Sequence, residues 1–360
     1  MKKTYNIAVL PGDGVGPEIT AAAVSVLKAT GAMFRRDFNF SYADFGAIAI
    51  EKHGNPLPKQ TLDLCIKSDA ILFGAIGDPK YDLDPNAKIR PEQGLLKLRK
   101  SLNLFANLRP VMVFKNLVSA SPIKEERIRN VDLLVVRELT GGIYFGEPRV
   151  RSENGNKAVD TSIYTKEEIS RVTKLAFEIA KKRKRKIVSV DKANVLETSR
   201  LWRETVNEIG KKYPEILLIH MFVDNASMQL IKKPGEFDVI LTENMFGDIL
   251  TDEASVIAGS IGLLPSASIG EKYALYEPIH GAFNKAAGKN TANPIGTILS
   301  AAMMLRISFN LETEANAIEE AVNKTIKKGF RTKDIADKNT SSSKILGTKE
   351  MGNMISNNII

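Results

Sequence analysis

The chain has 360 residues and a mass of 39.6 kDa, with 43% hydrophobic and 26% charged residues; that is long enough for two domains and excludes disorder, collagen-like repeats and a coiled coil as the main architecture. Its 51 Lys+Arg against 42 Asp+Glu give a net charge of +9, which favours anionic partners without choosing between nucleic acid and small acids. The lone Cys65 rules out an intrachain disulfide and a thiolate-rich zinc site, and no apolar run approaches the roughly 18 residues needed to cross a bilayer, so a soluble cytoplasmic protein is expected.

Apolar strand-like segments alternate with amphipathic helical ones, the pattern of an α/β protein with a largely parallel or mixed sheet. Residues 5–10 predict a buried strand. Residues 17–30 predict a helix with Pro17 in its first turn, a stripe at Ile19, Ala22, Ala23, Val26 and Leu27, and Gly31 as its stop. Further strands are expected at 70–75, 131–136, 187–190, 216–223 and 237–242, and a strand-like stretch at 111–114 with Arg109 ahead of it. Helices are expected near 92–102, 165–182, 197–212, 247–258, 294–306 and 312–328. The stretch 140–163, with Gly141, Gly142, Gly146 and Pro148 followed by polar residues, interrupts the alternation and predicts a protruding arm suited to an oligomer contact. The six basic residues at 181–186 close a helix, where the macrodipole favours cations. Without interleaved aromatic residues they make a poor nucleic-acid site.

In open α/β sheets ligands collect beyond the carboxyl ends of the strands. Arg137, then Asp191 and Lys192, then Asp224, then Glu243 and Asn244 stand at four such ends, and Asp248 and Asp252 follow the last. An i, i+4 spacing puts Asp248 and Asp252 on one helix face, about 5–6 Å apart at Cβ. With Asp224 they would form a hard, all-oxygen site for Mg²⁺ or Mn²⁺. Arg99, Arg109 and Arg137 offer planar forks that would suit a substrate with two carboxylates. The G-D-G-V-G-P-E loop at 12–18 has the flavour of a phosphate loop, yet Pro17 and Glu18 depart from the dinucleotide fingerprint, so no Rossmann motif is assigned. A second polar, glycine-bearing loop spans 277–294.

Six ordered blocks tie these features together: L-P-G-D-G-V-G-P-E at 10–18, L-F-A-N-L-R-P at 104–110, R-E-L-T-G-G-I-Y-F-G at 137–146, D-K-A-N-V-L-E at 191–197, V-D-N-A-S-M-Q at 223–229 and N-M-F-G-D-I-L-T-D-E at 244–253. Over nearly its whole length the chain resembles the isocitrate/isopropylmalate dehydrogenase family of β-decarboxylating dehydrogenases. The resemblance implies a two-domain α/β fold with a mixed, largely parallel sheet. Domain 1 would be 1–104 with 259–360, and domain 2 would be 105–258, including the arm at about 140–163. It also implies a homodimer with shared active sites, to which Lys192 and Asp224 reach in from the other subunit.

The same resemblance assigns Tyr144 and Lys192 as the acid/base pair and Arg99, Arg109 and Arg137 as carboxylate holders. Asp224, Asp248 and Asp252 become the ligands of Mg²⁺ or Mn²⁺. Leu95, Leu96 and Val195 would wall an isopropyl group, which favours 3-isopropylmalate over isocitrate, homoisocitrate, tartrate or malate; one of the two leucines could instead be helix core. The implied reaction is oxidative decarboxylation to 4-methyl-2-oxopentanoate and CO₂, with Lys192 made neutral by nearby cationic charge and desolvation. Gly77, Glu92, His280, Gly281, Ala282, Lys285, Ala292 and Asn293 would hold the dinucleotide. NAD is expected, although Lys285 stands where NAD-using relatives carry an aspartate. Ala286 replaces the tyrosine that accompanies such a lysine in NADP-specific relatives. A non-catalytic nucleic-acid-binding protein is the alternative from another class, predicting steeply salt-dependent binding.

Overall fold

The computed structural model describes residues 4–84 and 87–359. In chain order the strands are β1 (Thr4–Gly12), β2 (Asp37–Tyr42), β3 (Ala70–Ala75), β4 (Ala106–Met112), β5 (Asp132–Glu138), β6 (Val150–Arg151), β7 (Ala158–Val159), β8 (Lys186–Asp191), β9 (Leu217–Phe222), β10 (Val239–Thr242), β11 (Pro265–Ile269) and β12 (Ala274–Pro278). The α-helices are α1 (Gly16–Phe34), α2 (Ala47–His53), α3 (Lys59–Lys67), α4 (Pro79–Asp82), α5 (Pro91–Ser101), α6 (Glu125–Ile128), α7 (Lys166–Lys181), α8 (Glu197–Gly210), α9 (Val223–Lys232), α10 (Asn244–Ala258), α11 (Ile295–Ile307), α12 (Glu312–Lys327) and α13 (Thr348–Ser356). Among the described residues no helix is long and apolar enough to cross a membrane.

Two compact units emerge. The first takes in the chain up to Leu102, then Phe114–Ser121, then everything from Ala258 on; the second is Asn103–Val113 with Pro122–Ile257. The segment 114–121 thus joins the first unit, where Arg331 Nη2 donates to the Asn116 carbonyl at 2.8 Å and Ser119 Oγ to Asp337 Oδ2 at 3.1 Å.

In the first unit the strands run β2-β1-β3-β12-β11, parallel except for the β11–β12 pair. Helix α1 buries Ile19, Ala22, Ala23, Val26 and Leu27, the stripe the sequence predicts. It does not stop at Gly31 but runs to Phe34 and ends on a left-handed Arg35. Gly31 is there for room: a Cβ would sit 3.1 Å from the Arg36 carbonyl and from the Phe38 ring. Cys65 is buried, and desolvation pushes its thiol up to about 12, so it is an inert part of the core.

The second unit runs β4-β5-β10-β8-β9, with only the β4–β5 pair antiparallel. Trp202 on α8 is fully buried, stacks edge-on against Tyr164 and donates its indole N–H to Ser189 Oγ at 3.2 Å. The sequence expectation of a strand through residue 223 is corrected: β9 ends at Phe222, and Val223 and Asp224 open α9. Arg109 likewise lies inside β4 rather than ahead of a strand. Helix α10 begins at Asn244, three residues earlier than expected. The 140–163 stretch carries the small antiparallel β6–β7 hairpin. In the basic run, Arg183 binds Asp132 at 2.8 Å and Asp238 at 2.7 Å, and Lys186 Nζ donates to the Glu236 carbonyl at 2.6 Å.

Candidate active site

Register places the site in the second unit. Arg137 on β5 pairs with Thr242 on β10, Thr242 with Val190 on β8, and Val190 with Met221 on β9. The residues just beyond these positions therefore emerge along one edge, the carboxyl edge where ligands gather.

Asp248 is the hub. Its Oδ1 accepts from Arg137 Nη1 and, at 3.5 Å, from Arg109 Nη2, and its Oδ2 accepts from Tyr144 Oη at 3.0 Å. Both guanidinium groups are buried, whereas the Asp248 side chain keeps 39% of its exposure, so paired cations lie beneath an acid that still faces solvent. Arg109 also donates to Asn107 Oδ1 and Thr251 Oγ1. Burial and the Asp248 charge hold the Tyr144 hydroxyl above its ordinary value, which keeps it protonated. Asp252, one turn on, is exposed but partly desolvated, and that desolvation, with Asp248 adding, raises its carboxyl. This crowding of two hard oxygen donors is the environment a divalent cation relieves.

Lys192 and Asp224 form a second pair, Nζ to Oδ1 2.6 Å. The ion pair, with Lys192 the main cause, lowers the Asp224 carboxyl. Within one chain, then, Lys192 is paired with an anion, not with the cation the sequence reading anticipates. The turn carrying Lys192 is held by buried Asp191, which accepts from Ala193 N at 3.0 Å and from both forks of Arg203 at 2.8 and 2.9 Å. Val195 at its end is 60% exposed. Among the described residues no three His, Cys, Asp or Glu side chains converge into a metal-binding group, so Asp224 does not join Asp248 and Asp252 within one chain.

The first unit holds the remaining candidates. Arg99 is buried on α5; its Nη2 donates to Glu277 Oε1 at 2.8 Å, while its buried Nε finds no partner. Leu98 and Gly94 fill the core side of α5, and both Leu95 and Leu96 remain half-buried, so neither leucine is simply core. The G-D-G-V-G-P-E loop is built by backbone crowding rather than as an open cradle. A Cβ on Gly12 would lie 1.9 Å from the Ala75 carbonyl and one on Gly14 2.0 Å from that of Ala282. Buried Asp13 accepts from the amides of Ala47, Ile48 and Gly77 at 2.9, 3.1 and 2.9 Å. Glu92 lies beside Gly77 and is raised by burial.

A cavity of about 390 Å³ opens nearby, lined by Val15, Ile261, His280, Gly281, Ala292 and Asn293 among others. Burial lowers the His280 imidazole, so it sits neutral at pH 7. Ala282 is buried behind the wall and accepts from Val15 N at 2.8 Å; Lys285 is exposed and is not among the lining residues. Asp334 and Phe283 also line the cavity. Sequence reasoning assigns no role to these two, nor to Glu277, Thr251 and Asn107. Their only signals are positional: Asn107 and Thr251 fall inside the blocks at 104–110 and 244–253, and Glu277 and Phe283 inside the second polar loop.

A family model described as isocitrate/isopropylmalate dehydrogenase matches residues 6–355. A 3-isopropylmalate dehydrogenase of Geobacillus kaustophilus is 57% identical over 350 residues, covering 96% of this chain and 93% of that protein. One from Bacillus subtilis is 54% identical, covering 98% and 96%. Among solved structures, isocitrate dehydrogenase from Methylococcus capsulatus superposes with a TM-score of 0.87 at 34% identity, covering 99% of both chains. A β-decarboxylating dehydrogenase from Thermococcus kodakarensis gives 0.79 at 35% identity, covering 99% and 96%. With its six ordered blocks, its mixed and mostly parallel strands, and Asp248 bound to two arginines and a tyrosine, the chain belongs to the isocitrate/isopropylmalate dehydrogenase family.

Proposed function

We propose that this protein oxidises and decarboxylates 3-isopropylmalate to 4-methyl-2-oxopentanoate and CO₂ with reduction of NAD, a step of leucine biosynthesis. The observation that carries this reading is the convergence of Arg109, Arg137 and Tyr144 on Asp248. Two fixed cations, a protonated phenol and a solvent-facing carboxylate suit a carboxylate-bearing substrate that must be held, deprotonated at one atom and reprotonated at another. Relatives named 3-isopropylmalate dehydrogenase at 52–57% identity support the choice of substrate, and half-exposed Leu95 and Leu96 with exposed Val195 supply apolar surface for an isopropyl group.

Asp248 and Asp252 fit a divalent cation, Mg²⁺ or Mn²⁺, as hard oxygen donors one turn apart, with Asp224 of the partner subunit as the third ligand. The cavity beside His280, Gly281, Ala292 and Asn293, with Ala282 behind it, Gly77 in the loop after β3, Lys285 on a turn and Glu92 in the first turn of α5, fits a dinucleotide. When bound, the cation polarises the 2-oxygen of the substrate and the dinucleotide accepts the hydride.

The chain does the rest. Arg99, Arg109 and Arg137 grip the carboxylates. Lys192 takes the proton of the 2-hydroxyl as the hydride departs, and after CO₂ is lost Tyr144 returns a proton to the carbon left behind. Ser227 Oγ on α9 donates to Glu253 Oε1 on α10 at 3.0 Å, and the two helices expose Met228, Ile231, Ile249 and Val256. A second copy covering this apolar face would place Lys192 and Asp224 of one protomer at the Asp248 of its partner.

The test is the initial rate of nicotinamide reduction with 3-isopropylmalate, isocitrate and malate, each with NAD or NADP, with Mg²⁺ and with chelator. Metal-dependent turnover of 3-isopropylmalate alone is expected. Turnover of isocitrate instead would overturn the substrate assignment.

A further inference from the structure

Phe283 combines three features. Its backbone is left-handed, with φ of 43° and ψ of 54°, a strained conformation for a bulky residue and one that clusters at functional sites. Its side chain is 62% exposed. And it lines the cavity of about 390 Å³ shared by Val15, Ile261, His280 and Asn293. The conformation is held from both sides: the Ala282 carbonyl accepts from Val15 N at 2.8 Å, and Asn284 Nδ2 donates to the Gly77 carbonyl at 2.9 Å.

An aromatic ring kept in solvent by a strained backbone gains nothing in folding, since burial is what an apolar side chain contributes. It gains when a flat ligand lies on it. The lining is also apolar at Val15 and Ile261, and its polar part includes the Asn293 carboxamide, which donates to Asp334 Oδ2 at 3.0 Å, with Ser260 Oγ on the same oxygen. Apolar faces with a hydrogen-bonding edge fit a purine base. We infer that Phe283 is the stacking platform for the adenine of the bound dinucleotide and sets much of the affinity for that half of the cofactor. The inference rests on reading the cavity as the dinucleotide site.

Titration calorimetry with ADP-ribose, which carries the adenine but no nicotinamide, tests it in the full-length enzyme. Phe283→Gly and Phe283→Leu should bind about tenfold more weakly, the scale of losing one base–aromatic stack, while Phe283→Trp keeps wild-type affinity. Trp202 is the sole tryptophan and is buried, so the indole fluorescence introduced by F283W should be quenched as ADP-ribose binds. Phe283→Gly relieves the left-handed strain and should melt at or above the wild-type temperature, so affinity and stability move in opposite directions. Unchanged affinity in F283G, or full affinity in F283L, overturns the stacking role and leaves the cofactor site standing. Failure of the wild type itself to bind ADP-ribose removes both.

Discussion

The carboxamide oxygen of Asn244 accepts from two nitrogens of Arg137, Nε at 3.1 Å and Nη2 at 2.8 Å, while its Nδ2 donates to the Gly141 carbonyl at 3.2 Å. Asn244 therefore fixes the plane of the guanidinium and leaves Nη1 to meet Asp248. Asn244→Ala should lower kcat/KM for 3-isopropylmalate on the order of tenfold to a hundredfold through misplacement of Arg137, with most of the change in KM. Steady-state kinetics decide it; a purely structural role would instead lower thermal stability and leave KM alone.

If Lys192 and Asp224 serve the partner's site, two inactive variants should rescue each other. Asp248→Asn and Lys192→Met are each expected to be inactive. Mixed by refolding at equal amounts, half the dimers are heterodimers with one intact site, so about a quarter of wild-type activity should return. Absence of any recovery, with heterodimers verified by mass spectrometry, would mean that each site is built from one chain.

Glu243 is 7% exposed, and burial, with the nearby Glu138 charge adding, pushes its carboxyl from 4.5 up to about 7. The folded protein holds this proton more tightly than the unfolded chain does. The resulting stability is fully present below about 4.5 and is lost as pH rises to about 7, a fall on the order of 3 kcal/mol. Glu243→Gln should remove that part of the slope and exceed the wild type in stability at pH 8, as measured by urea unfolding at pH 5 and pH 8.

Gly14 has φ of 57° and faces the Ala282 carbonyl. Gly14→Ala meets both a left-handed backbone and a carbonyl 2.0 Å from the new Cβ, and should cost at least about 2 kcal/mol of unfolding free energy. Because Val15 lines the cavity, ADP-ribose affinity should fall as well.

Lys285 is exposed on the Asn284–Ala286 turn. A single ammonium is a point charge without the fork of an arginine, so NAD should be turned over more efficiently than NADP. Lys285→Asp should widen that preference. A wild-type preference for NADP would reverse the cofactor assignment.

Much of the fold is legible because buried parallel strands read as short continuous apolar runs and the helices between them as period-3.6 stripes: 70–75 matches β3 to the residue, and 187–190 and 197–212 match to within two. Short α2 and α3 and the β11–β12 hairpin escape, since five to nine residues carry little periodicity. In the site, the i, i+4 pair Asp248 and Asp252 was visible as spacing, and Arg137 and Lys192 as strand ends. Asn107, Thr251 and Glu277 were not, because they act by hydrogen-bonding to a guanidinium, which leaves no trace in periodicity or composition. Gly31 misled because it serves close packing rather than termination.

Strand β12 lies between β3 and β11, and α13 packs on α1 through Gly352, whose Cβ would come 2.8 Å from that of Ala22. On the ribosome, β3 emerges long before its neighbour β12, and the whole second unit is translated in between. The second unit can fold as it leaves the tunnel, while the first waits with an unpaired, fully apolar strand edge. The nascent chain is therefore most prone to aggregate before residue 278 is added, and chaperone dependence in cells should concentrate in that window.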